Sequence, residues 1–368
     1  MELTTLLLLA LISFFFLVKL IARYASPSGR ESALRLPPGP SQLPLIGSLH
    51  HLLLSRYGDL PHRAMRELSL TYGPLMLLRL GAVPTLVVSS AEAAAEVMRA
   101  HDAAFAGRHL SATIDILSCG GKDIIFGPYT ERWRELRKVC ALELFNHRRV
   151  LSFRPVREDE VGRLLRSVSA ASAEGGAACF NLSERICRMT NDSVVRETFK
   201  GQDKLTEDDV AKLSYLQLVI KETLRLHPPA PLLIPRECRE TCQVMGYDVP
   251  KGTKVFVNVW KIGREGEYWG DGEIFRPERF ENSTVDFRGA DFEFIPFGAG
   301  RRMCPGIALG LANMELALAS LLYHFDWELP DGIKSEELDM TEVFGITVRR
   351  KSKLWLHAIP RVPYISTY

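Results

Sequence analysis

Ten residues constrain this chain more than any other stretch: Phe297-Gly298-Ala299-Gly300-Arg301-Arg302-Met303-Cys304-Pro305-Gly306, which run directly into the strongly apolar segment 307–323. Three glycines let the backbone turn tightly and come close to a flat partner. The segment after them is too apolar for a surface helix, so it is predicted to be a buried one. Cys304 stands just ahead of that helix, where backbone N–H groups and the helix dipole favour a thiolate over a thiol. Arg302 adds a cation two residues away. A thiolate held in this way, in an apolar cradle, suits a soft or borderline metal. A glycine loop carrying a buried free cysteine is the plainer alternative.

The rest of the composition narrows the class. With 368 residues, 46% apolar and 24% charged, the chain is long enough for one large domain or two ordinary ones and can bury a sizeable core. Lys+Arg at 46 against Asp+Glu at 44 gives +2, too balanced for nucleic-acid binding by bulk charge. The seven cysteines (Cys119, Cys140, Cys179, Cys187, Cys238, Cys242, Cys304) are odd in number and spread out, which points to a reducing compartment with most of these thiols free and buried. Cys238-x-x-x-Cys242 invites a zinc reading, but no partner pair with metal-ligand spacing follows it. The sequons at Asn181, Asn191 and Asn282 carry no weight for a domain outside the secretory lumen.

Residues 3–18 carry no charge, and the stem of Lys19 extends the apolar run by snorkelling. The run reaches the ~20 residues that a membrane span needs. Lys19, Arg23, Arg30 and Arg35 follow it and hold the C-terminal side in the cytoplasm. Residues 1–22 are therefore expected to be a signal anchor rather than a cleaved signal. Residues 23–41 form a basic, proline-rich hinge around Leu36-Pro37-Pro38-Gly39-Pro40, and residues 42–368 form the folded domain.

Inside that domain, residues 76–80 and 85–89 read as a hairpin around Gly81-Ala82. Residues 91–100 are alanine-rich and helical. Pro128 is placed at the first position of a helix reaching Phe145. Thr206, followed by Glu207, Asp208 and Asp209, reads as a helix N-cap with an acidic first turn. The helix over 213–226 stops at His227-Pro228-Pro229, and residues 254–259 alternate as a strand. The expected fold class is mainly α with a small β-sheet.

Two further spacings matter. Glu222-x-x-Arg225 puts both side chains on one helix face, and E-x-x-R also begins at Glu96, Glu131, Glu160 and Glu273. The instance at Glu222 is distinct in ending an apolar helix and preceding Phe275-Arg276-Pro277-Glu278-Arg279-Phe280. Trp133-x-x-x-Arg137 pairs an indole with a guanidinium, though Trp260-x-x-x-Arg264 has the same spacing.

The pattern Phe-x-x-Gly-x-Arg-x-Cys-x-Gly resembles the haem-binding loop of cytochrome P450 monooxygenases, and the order of the other segments resembles plant microsomal members. That resemblance implies a cytochrome P450 fold with haem b, Cys304 as axial thiolate, and Phe297 and Gly306 in the cofactor-binding loop. It implies that Arg302, Trp133, Arg137 and Arg236 contact the haem propionates. Glu222, Arg225 and Arg279 would form a buried ion triad serving fold and haem loading, since buried charges must be mutually paired. The implied activity is oxygenation of a small lipophilic plant metabolite, a terpenoid being the class first indicated. An NADPH-cytochrome P450 reductase would supply electrons, docking near Arg134, Lys138 and Arg301. The implied location is the endoplasmic reticulum membrane, held there by the N-terminal helix with the domain facing the cytoplasm; no nucleic-acid partner is expected. Loops 111–125, 230–233 and 344–348 would face the substrate.

The sequence departs from the family in one place. No [AG]-G-x-[DE]-T-[TS] motif occurs in it, so the distal acid and threonine that deliver protons are absent and no catalytic residue is expected. Residues 181–200 resemble a segment well before that motif and residues 201–226 one after it, with a junction near Thr198–Asp203. The fold is therefore expected to be incomplete on the distal side of the haem, leaving the segment 307–323 short of a packing partner. The alternative to an active enzyme is a non-catalytic or unstable truncated haem-binding product. A membrane-anchored protein without haem is a third reading, and the intact cysteine loop argues against it.

Overall fold

The computed structural model describes residues 2–25, 34–173, 179–183, 186, 213–345 and 347–362. The expected junction at 198–203, the cap at Thr206 and Cys187 all lie outside those residues. The apolar N-terminal run forms helix α1, Glu2–Ala25. The chain then divides into two compact units that interleave in sequence. Residues 1–129, 230–272 and 288–302 form the first, and residues 130–229, 273–287 and 303–368 the second.

The first unit is built on a four-stranded sheet. Strand β1, Leu75–Leu80, and strand β2, Val83–Val88, pair antiparallel from Leu75↔Val88 to Leu80↔Val83, so Gly81 and Ala82 make a two-residue turn as expected. Gly81 takes φ +63, which that turn requires. Strand β3, Arg236–Glu237, pairs antiparallel with β4, Lys254–Val257, which runs parallel to β2. Side chains alternate across the sheet. Leu75, Leu86 and Val88 enter one core with Met98, Phe105, Ile295 and Ala299; Met76, Leu78 and Val87 enter another with Met65 and Leu232. The strand expected over 254–259 ends at Val257, because the Asn258 side chain accepts from the Lys261 amide and caps a short helix, Val259–Ile262.

The second unit is mainly helical. Helix α2 is Glu131–Val139, α3 is Arg154–Ala173, α4 is Ser214–Leu226 and α5 is Ile307–His324. Pro128 lies outside α2. The helix instead starts after Thr130, whose hydroxyl oxygen accepts from the Trp133 amide at 3.3 Å. Helix α5 packs against α3 and α4. Arg361 closes its C-terminal end by donating to the Leu322 and Tyr323 carbonyls at 2.5 and 3.2 Å. The expectation of a buried α5 holds only for its C-terminal half. Leu316, Ala317, Ala319, Ser320 and Leu321 are buried, whereas residues 307–315 are partly or fully exposed. The physical reason is that α3 and α4 cover one side of the helix and, among the described residues, nothing comparable covers the rest of its apolar surface.

Candidate functional site

The cysteine loop passes from one unit to the other between Arg302 and Met303, and each part is held by its own unit. In the first, Gly298 and Gly300 take φ +71 and +65. A Cβ at Gly300 would stand 2.4 Å from the Met98 carbonyl oxygen and 2.6 Å from the Asp102 carboxylate, so only glycine fits there. Ala299 is buried in the sheet core, and Gly300–Arg302 form a single 3-10 turn. Arg302 is buried and donates to the carbonyls of Ala106 (2.8 Å) and Gly127 (2.7 Å). Arg236 is buried too; it donates to Asp102 Oδ1 at 3.1 Å and to the Ala299 carbonyl at 2.6 Å. Phe297 is partly buried at the loop's start.

A third guanidinium joins these two. Arg108 donates to the carbonyls of Ile125, Ile234 and Pro235 at 3.0, 2.7 and 2.9 Å. Burial, with Arg302 and Arg236 close by, pushes it down to about 9, and Asp123 offsets this only in part. Three crowded guanidinium groups repel one another, and the arrangement is stabilised by an added anion. Asp102 neutralises Arg236 and Asp123 acts on Arg108, so the set carries more positive than negative charge, and a ligand with carboxylates, such as a porphyrin with two propionates, has the complementary chemistry.

In the second unit Cys304 is exposed, three residues ahead of α5. Arg137 donates to the Met303 carbonyl at 2.6 Å, directly before the cysteine. Burial lowers the Arg137 pKa, and the Cys304 and Cys140 sulfurs work against that shift. Trp133, one helical turn earlier, is buried. A Cβ at Gly306 would lie 3.8 Å from the Phe145 ring, an ordinary contact. An accessible sulfur beside an apolar helix start is suited to ligate a soft centre. Among the described residues no cluster of three or more His, Cys, Asp or Glu side chains could hold a metal ion, so the zinc reading of Cys238 and Cys242 gains no support; of the six described cysteines Cys238 alone is buried, against the expectation that most would be.

The expected ion triad is present in the same unit. Arg225 donates to both Glu222 oxygens at 2.7 Å, Arg279 donates to Oε1 at 3.0 Å, and the Arg276 amide adds 2.7 Å. Glu222 and Arg225 are completely buried. Burial pushes the Glu222 pKa up, but the hydrogen bonds and charges around it prevail and hold it below its ordinary value. Of the expected docking cations, Lys138 is exposed, Arg134 pairs with Glu131, and Arg301 reaches the Tyr129 hydroxyl at 2.9 Å. Sequence reasoning missed Asp102 and Arg108. Neither lies at a recognisable spacing from the loop: Asp102 meets it at the Arg301 amide, and Arg108 acts on Arg302 by charge while it binds the carbonyls of Ile125, Ile234 and Pro235.

The model of the family "Cytochrome P450" matches residues 37–201 and again 192–356. The chain is 39% identical to dolabradiene monooxygenase of Zea mays, covering 94% of this chain and 96% of that protein. It is 39% identical to ent-isokaurene C2/C3-hydroxylase of Oryza sativa subsp. japonica, with 88% and 92% covered. The first alignment runs over 492 positions, more than the 368 residues available here, so part of that relative has no counterpart in this chain. Among solved structures, a zebra fish cytochrome P450 with abiraterone superposes with TM-score 0.66 at 21% identity, covering 82% of this chain and 99% of that one. The chain therefore belongs to the cytochrome P450 family, whose cofactor is haem iron ligated by a thiolate and whose chemistry is monooxygenation.

Proposed function

We propose that Cys304 is the axial ligand of haem b in this chain, and that the chain binds haem without being an efficient oxygenase. Haem, when bound, supplies the oxygen-activating chemistry. The residues of this chain hold it. Phe297 and Gly306 line the loop that presents the sulfur, while Arg302, Arg236, Trp133 and Arg137 serve the propionate side, joined by Arg108. The observation that carries this reading is the exposed Cys304 just ahead of α5, following a loop held at Ala299, Arg302 and Met303.

The low oxygenase activity follows from the missing distal motif. Support comes from its absence in the sequence, from the two family matches that meet at 192–201, and from the half-open α5. Without that motif no acid–threonine pair of the family's kind would position protons for oxygen activation. The substrate class is a small lipophilic plant metabolite, first a terpenoid, supported by the names of the relatives. Electrons come from an NADPH-cytochrome P450 reductase docking near Arg134, Lys138 and Arg301. Helix α1 anchors the chain in the endoplasmic reticulum membrane.

The test is a difference spectrum of the reduced, carbon-monoxide-bound chain. A red-shifted Soret band is expected, and Cys304→Ala abolishes it; a band that survives the substitution overturns the ligand assignment. Reconstitution with reductase and a diterpene substrate is expected to give little or no product. Efficient turnover by the 368-residue chain overturns the truncation reading.

A further inference from the structure

We propose that Asp102 is a positioning residue for the cysteine loop: its carboxylate clamps the turn that delivers the chain to Cys304. The inference rests on the reading of Cys304 as haem ligand, and its geometry is confined to the first unit.

The carboxylate lies under the loop and is buried. Oδ2 accepts from the Arg301 backbone amide at 2.8 Å and from the Arg301 guanidinium at 3.4 Å. Oδ1 accepts from Arg236 at 3.1 Å, and the same guanidinium donates onward to the Ala299 carbonyl at 2.6 Å. One Asp–Arg pair thus grips the main chain on both sides of Gly300. The fit over Gly300 is close enough that any side chain there strikes the carboxylate. Four residues beyond Asp102, the Ala106 carbonyl receives Arg302. The stretch 102–106 is therefore a template on which the turn 300–302 is laid.

A hydrogen bond from a backbone amide to a buried carboxylate is among the stronger neutral-to-charged contacts and fixes direction as well as distance. Arg236 is neutralised by the same group, so loss of the carboxylate frees both ends of the grip at once. A loop two residues from an axial ligand needs its backbone fixed to within a fraction of an ångström for the sulfur to meet the metal squarely. Asp102 acts through the Arg301 amide and Arg236.

The test uses the full chain in detergent, with Asp102→Ala and the isosteric Asp102→Asn. In the haem-free protein, hydrogen exchange at residues 299–302 is expected to be about tenfold faster in Asp102→Ala, the worth of one charged hydrogen bond. In the haem-loaded protein, at equal haem content, the red-shifted carbon-monoxide band should give way in part to the unshifted band, more in Asp102→Ala than in Asp102→Asn. A residue acting only on overall stability would lower haem content and leave the band ratio unmoved. If Asp102→Ala does not accumulate as folded protein, Asp102→Asn carries both readouts. Wild-type exchange and wild-type band ratio in the folded variant overturn the proposal. Cys304→Ala separates the two readings, since it removes the band but is expected to leave exchange at 299–302 unchanged.

Discussion

Residues 299–302 and residues 304–315 are adjacent in sequence and opposite in environment. The first stretch carries a buried alanine, a glycine with no room for a side chain, and an arginine bound to two carbonyls. The second begins with an exposed cysteine and continues into a half-open apolar helix. One is over-determined by protein contacts; the other presents surface that the described residues do not fully cover. The approach to Cys304, the proposed metal ligand, is thus fixed by folding alone, whereas the face beyond it depends on what is bound against it. On the reading proposed above, that is the porphyrin and a distal block missing from this chain.

The largest expected effect lies in the closed parts of the second unit. Replacing Glu222 with Ala leaves Arg225 and Arg279 facing each other without their shared carboxylate. Removing one partner of a buried ion set costs about 3–5 kcal/mol. Urea unfolding of Glu222→Ala should show that loss, and a loss below about 1 kcal/mol would place the set with ordinary surface pairs. The triad also sets a pH dependence. Because the Glu222 pKa is depressed on folding, its stabilisation is fully present above the unfolded value near 4.5 and is lost as the pH falls through the lower folded value. Unfolding midpoints measured downward from pH 6 should therefore fall below about pH 4.5 in the wild type. Glu222→Gln flattens that decline.

The contrast also explains what could be read from the sequence. The cysteine loop, the hairpin at Gly81-Ala82, the helix ending at His227 and the Glu222–Arg225–Arg279 set were all legible, because each depends on short spacings or on a motif in order. Helix α5 was legible as a helix, and the absent motif already pointed to an incomplete cover, but which of its residues lie open was not legible, since hydropathy reports which residues seek burial and not which partners they meet. The start of α2 was misplaced by reading Pro128 as its first residue; Thr130 supplies an oxygen acceptor that satisfies a free helical amide, and Pro128 does not. Arg236 was singled out by resemblance, but its contact with Asp102 was not legible. That pair spans 134 residues of sequence, and no local pattern encodes it.

Two substitutions one helical half-turn apart on α5 sharpen the comparison further. Leu316 is 1% exposed, and Leu316→Ala opens a cavity worth about 2–5 kcal/mol, read by thermal or urea unfolding. Met314, two residues earlier, is 39% exposed. Met314→Gln is expected to change stability by no more than about 0.5 kcal/mol, because a residue already in water loses little by becoming polar. It should also reduce self-association of the haem-free chain in sedimentation, since it removes part of an apolar face that the described residues leave exposed. If Met314→Gln instead destabilises the monomer by as much as Leu316→Ala, the face is covered in the folded chain itself. The distinction between a fixed approach and an open face would then fail at its weaker side.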